Sequence, residues 1–225
     1  MDHPRIPGNG WLALLGGGEF SYGDTIDADY AWLDRTPPGP IGFIPAASGS
    51  NDYAKHFGDY LREQFEREME INPIYRPRDG RRGRNAERIA AVPAVDIGGG
   101  IADHLLEAVV ETPAADALTG KLRDGGMVAA FAAAAQAAGR LVRSFQPGRT
   151  LPGFGWLPEG VVEPNFDPGH DRRLRKMLTA EGVRWGLGIP PESAVLFGPD
   201  GGMEVLGTAF RVVGPEGELE ELGEE

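Results

Sequence analysis

The segment from residue 125 to residue 139 has the layout of a catalytic turn but lacks a catalytic side chain. It consists of GGMVAAFAAAAQAAG, an apolar stretch typical of a buried strand followed by small residues typical of a closely packed helix. In many α/β hydrolases such a bend carries a nucleophilic Ser or Cys between glycines, because the nucleophile must project from a tight turn. Here the bend falls at Ala132, and its neighbours are Ala or Phe. The sequence therefore predicts a turn of the nucleophile type without a nucleophile.

Three further strands are predicted to end in glycines or other small residues. These segments are LLGGGEF (14–20), IPAASGSNDY (44–53) and DIGGGIADHL (96–105). Because the carboxyl ends of parallel strands meet at one edge of a sheet, we expect these segments to line a ligand crevice. The expected ligand-contacting residues on these loops and the bend are Gly17, Gly18, Ser48, Gly99, Gly100 and Phe131.

Each of these loops also has a purely structural interpretation. A glycine loop can be a tight turn without a ligand, and Ser50 or Asn51 is better suited to cap the helix that follows. The spacing GGGEF does not match the G-x-G-x-x-G pattern of dinucleotide sites, so no cofactor is predicted.

Composition excludes several function classes. The 225 residues include no Cys, which rules out thiol catalysis, disulfides and cysteine-bound metal. A net charge of −12 argues against nucleic acid as a partner. No apolar run of about 20 residues indicates a membrane span, and residues 1–10 show no secretory signal, so a cytoplasmic protein is expected.

The remaining charged features favour structural roles. His56 and His104 fall in predicted helices, and His170 lies beside Asp167 and Asp171, where an acid–base or metal cluster is less well supported than an ordinary helix start. No metal site is predicted. The basic segment RPRDGRRGR (76–84) is either a clamp for an anion or, as we favour, a solvated loop, and residues 216–225 are expected to form an acidic, frayed tail.

Hydrophobic patterning alternates between strands and helices along the whole chain. This alternation predicts a single α/β domain over residues 1–225, with a mostly parallel central sheet between helices on both faces. The predicted strands are 11–17, 40–46, 70–76, 94–99, 126–131, 160–165, 193–198, 203–207 and 209–214. The predicted helices are 53–68, 101–112, 113–125, 132–142 and 169–182, the last with Gly182 as its C-cap. The last two strands are expected to form a closing antiparallel ribbon.

In this order the segments resemble the peptidase E and cyanophycinase family of serine peptidases. The resemblance covers roughly residues 10–215 and is most specific in LPGFGWLPEGVVEPNFDPGHDRRLRKML (151–178). It implies a three-layer αβα fold like that of the class I glutamine amidotransferases, with a flavodoxin-like central sheet. It also implies a homodimer.

The resemblance places every catalytic role of the family at a vacant position. The family's Gly-Thr-Ser-Ala-Gly falls on residues 130–134, so its serine position is Ala132, and its His-Phe falls on Asn165 and Phe166. The family's acid falls between these positions, but no Asp or Glu occurs between Gly125 and Pro158. The Gln usual after the second glycine loop is replaced by Ala102 or its neighbours. Glu192 lies near the family's Asp-Glu pair and either lines the crevice or is a surface carboxylate.

Three functions remain compatible with this sequence. The favoured one is a non-catalytic homolog that binds a small peptide or an amino-acid-like ligand in the crevice. The second is a hydrolase with a relocated nucleophile, Ser48, Ser50 or Thr112, paired with His104 or His170. The third is a structural or oligomeric protein in which Phe131 closes the former site.

Overall fold

The fold was obtained as a computed structural model that describes residues 5–223. Its α-helices are α1 Ile26–Asp34, α2 Asn51–Phe65, α3 Pro77–Gly80, α4 Gly83–Ala91, α5 Ala102–Val109, α6 Pro113–Arg123, α7 Ala133–Ala137 and α8 Arg172–Met177. Its strands are β1 Trp11–Leu15, β2 Ile41–Ile44, β3 Met69–Ile71, β4 Ala94–Ile97, β5 Met127–Phe131, β6 Leu141–Arg143, β7 Thr150–Pro152, β8 Gly160–Pro164, β9 Trp185–Ile189, β10 Ala194–Phe197, β11 Met203–Leu206, β12 Thr208–Val213 and β13 Leu219–Gly223. Two short 3₁₀-helices span Phe20–Tyr22 and Pro168–His170.

The central sheet has seven strands in the order β11-β10-β1-β5-β4-β2-β3. The five strands from β1 to β3 in this order pair in parallel, and β10 and β11 extend the sheet antiparallel at one edge. The carboxyl ends of the five parallel strands therefore share one edge of the sheet. This arrangement confirms the predicted mostly parallel sheet.

Alternating apolar side chains give the central sheet two buried faces. Along β1, Leu12 and Leu14 face one core, and Ala13 and Leu15 face the other. Helices α4 to α7 cover the first face, and α1 and α2 cover the second. The two covered faces confirm the three-layer αβα architecture.

A second sheet packs against the first core. Its strand order is β13-β12-β9-β8, with β8 and β9 parallel and the other pairs antiparallel. Val162, Leu187 and Ala209 face the main core, whereas Val161 and Phe210 pack with the apolar side of α8. This sheet presents the carboxyl end of β8, which leads to Asn165, to the carboxyl edge of β1. Strands β6 and β7 form a separate antiparallel pair.

The predicted closing ribbon is wrong in its pairing. Strand β11 pairs with β10 in the central sheet, whereas β12 pairs with β9 and β13 in the second sheet. Gly207, with φ of 71°, turns the chain between the two sheets, and a Cβ at this position would lie 2.7 Å from the Ser193 hydroxyl oxygen. A single residue therefore separates strands of different sheets rather than strands of one hairpin.

Other predicted boundaries also change. Helix α8 ends at Met177 with Leu178 as its C-cap, so the predicted helix over 169–182 was too long and Gly182 is not its cap. The acidic segment predicted to fray forms β13 over Leu219–Gly223, and residues 224 and 225 lie outside the described residues. Strands β6, β7 and β9 were not predicted. No helix among the described residues is long and apolar enough to cross a bilayer.

Replacing Gly207 by Ala is expected to lower the free energy of unfolding by about 1–3 kcal/mol, because the new Cβ meets Ser193 and the backbone keeps a positive φ. Urea denaturation measures the change. Gly202→Ala is the matched control, since a Cβ there has no neighbour within 4 Å. Equal effects of the two substitutions would contradict the role of Gly207 as the turn between the sheets.

Candidate functional site

Ala132 has the backbone of a nucleophile turn. It lies between β5 and α7 with φ of 48° and ψ of −104°, a combination outside the left-handed helical region and sparsely populated by residues with a Cβ. Its N–H donates to the Leu15 carbonyl at 2.9 Å, and its own carbonyl accepts from Gln136 N at 3.0 Å. The turn is therefore held at both ends, and the side chain that it presents is a methyl group.

Asn165 is bound to Gly16, the residue that follows Leu15 at the end of β1. It follows β8 with φ of 49°, and its N–H donates to the Gly16 carbonyl at 2.9 Å. Its side chain lies over Gly17, where a Cβ would be 2.2 Å from Asn165 Oδ1. Because Leu15 and Gly16 are consecutive, the structure brings the Ala132 and Asn165 backbones together.

The consecutive residues Leu15, Gly16 and Gly17 form a row of acceptor carbonyls at the end of β1. Glu192 is bound to the third of them. It is exposed, has φ of 62°, and donates its N–H to the Gly17 carbonyl at 3.0 Å. Among the described residues, six non-glycine residues have positive φ, and three of them are Ala132, Asn165 and Glu192. Backbone strain of this kind concentrates at functional sites.

The other glycine loops meet the same edge. Gly98 N donates to the Ile44 carbonyl at 3.1 Å, and Ile101 N donates to the Ala47 carbonyl at 3.0 Å. A Cβ on Gly100 would lie 2.5 Å from that Ala47 carbonyl oxygen. The exposed Ser48 therefore lies beside Gly100, as the strand-end argument requires.

Four glycine amides at this edge are unused by the protein. Within residues 5–223, the N–H groups of Gly17, Gly18, Gly99 and Gly100 donate no hydrogen bond to another protein group. A row of such amides can bind carbonyl or carboxylate oxygens. The edge therefore offers donors for a ligand even though it offers no nucleophile.

Phe131 partly fills the space behind these amides. The side chain is half-buried, and a Cβ on Gly99 would lie 2.8 Å from Phe131 Cδ1. Phe131 also lines an enclosed cavity of about 10 Å³, which is close to the space for one water molecule. It is placed to limit how deeply a ligand enters.

The hydroxyl groups considered as relocated nucleophiles are engaged locally. Ser50 caps α2 by accepting from Tyr53 N at 3.2 Å, Ser48 accepts from Ser50 N at 3.2 Å, and Thr112 donates to the Val109 carbonyl at 2.5 Å. Across the described part of the chain, no Ser or Thr hydroxyl is hydrogen-bonded to a histidine. This geometry does not support a relocated nucleophile.

His170 pairs with a carboxylate instead. Its Nδ1 lies 2.6 Å from Asp167 Oδ2, and Asp167 Oδ1 accepts from Gly169 N at 2.8 Å. The hydrogen bond with His170 lowers the pKa of the Asp167 carboxyl below its usual value. Asp167 thus caps the short 3₁₀-helix, in agreement with the helix-start interpretation.

An open cleft of about 790 Å³ adjoins Asn165. Its ionisable lining residues are Glu163, Asp167, His170, Asp171, Arg172 and Arg173. Glu163 is already bound by Arg143, with 2.9 Å between Nη2 and Oε1. Both signs of charge therefore line one cleft next to Asn165.

Two buried carboxyls that the sequence reasoning missed lie in the cavity behind Phe131. Asp29 accepts hydrogen bonds from Thr25 Oγ1 at 2.7 Å, Trp32 Nε1 at 2.9 Å and Tyr60 Oη at 3.0 Å. Burial raises its pKa despite these donors. The sequence signal for Asp96 is a single Asp within the apolar strand β4, whereas Asp29 is one of three Asp residues in α1.

Asp96 is the less well solvated member of this pair. Burial, and secondarily the charge of Asp29, raise the pKa of the Asp96 carboxyl well above its usual value, while a backbone hydrogen bond from Ile97 opposes the shift. Since three side-chain donors oppose the effect of burial on Asp29, the pKa of Asp96 is the more strongly raised of the two.

The basic segment over residues 76–84 forms α3 and the start of α4 at the surface. Its five arginines are exposed, and Asp79, which is buried, lies 3.4 Å from Arg82 and 3.8 Å from Arg78. No bond connects this segment to the row formed by Leu15, Gly16 and Gly17 among the described residues.

Comparison with known proteins identifies the fold. A peptidase from an acI-B1 actinobacterium aligns with a TM-score of 0.77 and 19% identity, over 97% of this chain and 96% of that one. A candidate peptidase E protein from Listeria monocytogenes EGD-e aligns with a TM-score of 0.59 and 12% identity, over 96% of this chain and all of that one. No family model and no curated protein matches this sequence. The chain therefore has a peptidase E-like α/β fold, and these identities show the fold alone.

Ala132→Gly is expected to raise the free energy of unfolding by about 1 kcal/mol, because glycine relieves the strained φ and ψ by more than it adds to the entropy of the unfolded chain. Urea denaturation provides the measurement. Ala133→Gly, one residue into α7, is the matched control and is expected to lose up to about 1 kcal/mol. A loss of stability in both variants would show that the turn at Ala132 is unstrained.

Asp96→Asn is expected to make stability less dependent on pH. A carboxyl whose pKa is raised by folding stabilises the protein at pH values below 3.8, its pKa in the unfolded chain. That contribution is lost as the pH rises through the pKa of the folded protein. The variant should have the same free energy of unfolding as the native chain near about pH 4 and a higher one at neutral pH. The difference is about 1.4 kcal/mol for each unit by which the pKa is raised, up to the pH of measurement.

Chemical denaturation at a series of pH values tests this expectation. Asp29→Asn is the control and should be destabilised by about 1–3 kcal/mol, because it disrupts the carboxylate that accepts three hydrogen bonds. A constant difference in stability between Asp96→Asn and the native chain across this pH range would refute a raised pKa of Asp96.

Proposed function

We propose that this chain is a non-catalytic protein of peptidase E-like fold that binds a small peptide or an amino-acid-like ligand at the carboxyl edge of its central sheet. The observation that carries the proposal is Ala132, which has the strained backbone of a nucleophile turn but only a methyl side chain. Asn165 lies beside it on the same row of carbonyls.

The chemistry argues against acyl transfer at this turn. Such a reaction needs a nucleophile and a base within hydrogen-bond reach, and a methyl group supplies no attacking atom. An Asn amide cannot accept the proton of a nucleophile near neutral pH. Loss of a nucleophile or base lowers turnover by roughly 10⁶ in a well-studied serine protease.

The donors and charges at the edge suit a zwitterionic ligand. The amides of Gly17, Gly18, Gly99 and Gly100 can receive a carboxylate or a peptide carbonyl. The adjoining cleft offers Arg172 and Arg173 for a further anionic group. Asp171, whose Oδ2 already accepts from Arg175 Nε at 2.6 Å, keeps Oδ1 for an amine. Its volume of about 790 Å³ is within the range of small-molecule sites.

A closed former site is the second candidate. Its support is the position of Phe131 against Gly99, together with Asn165 over Gly17, since both side chains occupy space that a ligand would need. In that case the strand edge is part of the core, and the protein acts through its outer surface or through self-association. The homodimer implied by the sequence resemblance remains a prediction.

The native chain is expected to show no turnover of Asp-X, isoaspartyl or β-Asp-Arg dipeptides in a mass-spectrometric assay. The same peptides are then screened for binding by thermal shift, where a ligand at about 100 times its Kd adds about 2.7 kcal/mol of stability. Saturable stabilisation that Glu192→Gln or Arg173→Gln weakens supports the proposal. Hydrolysis that is abolished by replacing one hydroxyl residue would refute it, and binding of no peptide would favour the closed site.

Restoring the two missing side chains tests the geometry directly. The double variant Ala132→Ser and Asn165→His is expected to hydrolyse a bound dipeptide about 10²-fold above the native background, the lower end of general-base catalysis. Ala133→Ser with Asn165→His is the matched control, because its hydroxyl lies one residue past the strained turn. Equal rates in the two variants would show that the turn no longer presents residue 132 to the crevice.

A further inference from the structure

A groove lies between α1 and the C-terminal end of α2, on the outer side of the helix layer. It has a volume of about 640 Å³. Its lining residues are Ile26, Asp27, Tyr30, Leu33, Asp34, Glu63, Gln64, Phe65, Glu66 and Arg67. None of the residues of the strand-edge crevice lines it, so this surface is independent of the proposed ligand site.

The floor and one wall of the groove are apolar. Ile26 and Tyr30 lie one helical turn apart on α1 and are 39% and 62% exposed. Leu33 is buried, and the half-buried Phe65 packs edge-on against Tyr60 with ring centroids 5.5 Å apart. Ile26 and Tyr30, together with Tyr22 four residues before Ile26 in the sequence, are three of the six large apolar side chains that are exposed in residues 5–223. Such a concentration marks an interaction surface rather than scattered exposure.

The rim of the groove is acidic. Asp27, Asp34, Glu63 and Glu66 are exposed carboxylates on its two sides. The cation among the lining residues, Arg67, donates from Nη2 to the Pro37 carbonyl at 2.8 Å. The groove therefore combines apolar anchoring positions with a negative rim.

We propose that this groove binds a cationic amphipathic helix of a partner protein. Apolar side chains of the helix, spaced three or four residues apart, would pack on Ile26, Tyr30 and Phe65, while its Lys and Arg residues would face the carboxylates. This mode of recognition uses both features of the groove.

Charge disfavours a symmetric dimer through this face and an anionic lipid surface as occupants. The same face of a second copy would place the acidic rims against each other, and an anionic lipid surface would be repelled in the same way. The chain's own basic segment over residues 76–84 contains no large apolar residue, so it cannot provide the anchors.

Fluorescence anisotropy with a labelled model peptide tests the proposal on the full chain. The probe is a helix of about 18 residues, long enough to form several turns, with Leu on one face and Lys on the other. A scrambled peptide of the same composition, without an apolar face, is the control. The amphipathic peptide is expected to bind at least about tenfold more tightly than the scrambled one, the difference of one good apolar anchor.

Two pairs of surface variants locate the binding. Ile26→Ser with Tyr30→Ser should weaken binding at least about tenfold, since both anchors are lost. Asp27→Asn with Glu63→Gln should weaken binding and reduce its dependence on salt, whereas Glu218→Gln with Glu220→Gln, which makes the same charge change near and on β13, should leave it unchanged. Circular dichroism confirms that the variants, all at exposed positions, remain folded.

Several results would overturn the proposal. They are equal binding of the two peptides, equal effects of the two charge pairs, unchanged binding after loss of Ile26 and Tyr30, and absence of binding at millimolar peptide. Binding of the native chain to anionic vesicles through this face would also overturn it in favour of a lipid surface.

Discussion

Three consecutive carbonyls at the end of β1 hold the candidate site together. Those of Leu15, Gly16 and Gly17 accept hydrogen bonds from the N–H groups of Ala132, Asn165 and Glu192. Two donors directly follow β5 and β8, and the third lies in the loop before β10, so the row connects both sheets. Each donor residue has positive φ, which strains its backbone. The three hydrogen bonds offset this strain, because a buried backbone group left unpaired costs as much free energy as a lost hydrogen bond. The crevice, whether open or closed, depends on this row.

The space behind the row is controlled by Phe131 and the carboxyl pair beneath it. Asp29 and Asp96 place two ionisable groups in an apolar face of the sheet, where two charges would repel at low dielectric. The raised pKa of Asp96 favours its neutral form, which removes that repulsion without adding a cation. Because Phe131 lines the same cavity and precedes Ala132, the packing under the turn and the turn itself form one unit. A change in the buried pair would therefore alter the cavity that the Phe131 ring also lines.

The sequence was sufficient to predict the central sheet and most of the strand ends, because period-two apolar patterns and glycine loops are local signals. It also led to Ala132, Asn165 and Glu192, although none of their backbone conformations is evident from residue type. It failed for the assignment of β11 and β12, since the turn at Gly207 depends on Ser193, which is distant in sequence. It also missed Asp29, because α1 was not predicted, and the joint burial of Asp29 and Asp96 depends on tertiary packing. The cleft next to Asn165 exists only once α8 folds against the second sheet.

Strand β13 has a consequence for the solubility of the whole chain. It is the outermost strand of the second sheet, so one side of its backbone is left without a neighbouring strand in the described structure. Unpaired edges of this kind can add strands from other molecules and initiate aggregation. Exposed carboxylates of Glu216, Glu218, Glu220 and Glu221 precede or occupy this edge. The negative charge of this terminal segment therefore disfavours strand addition, and this effect depends on the carboxylates remaining ionised.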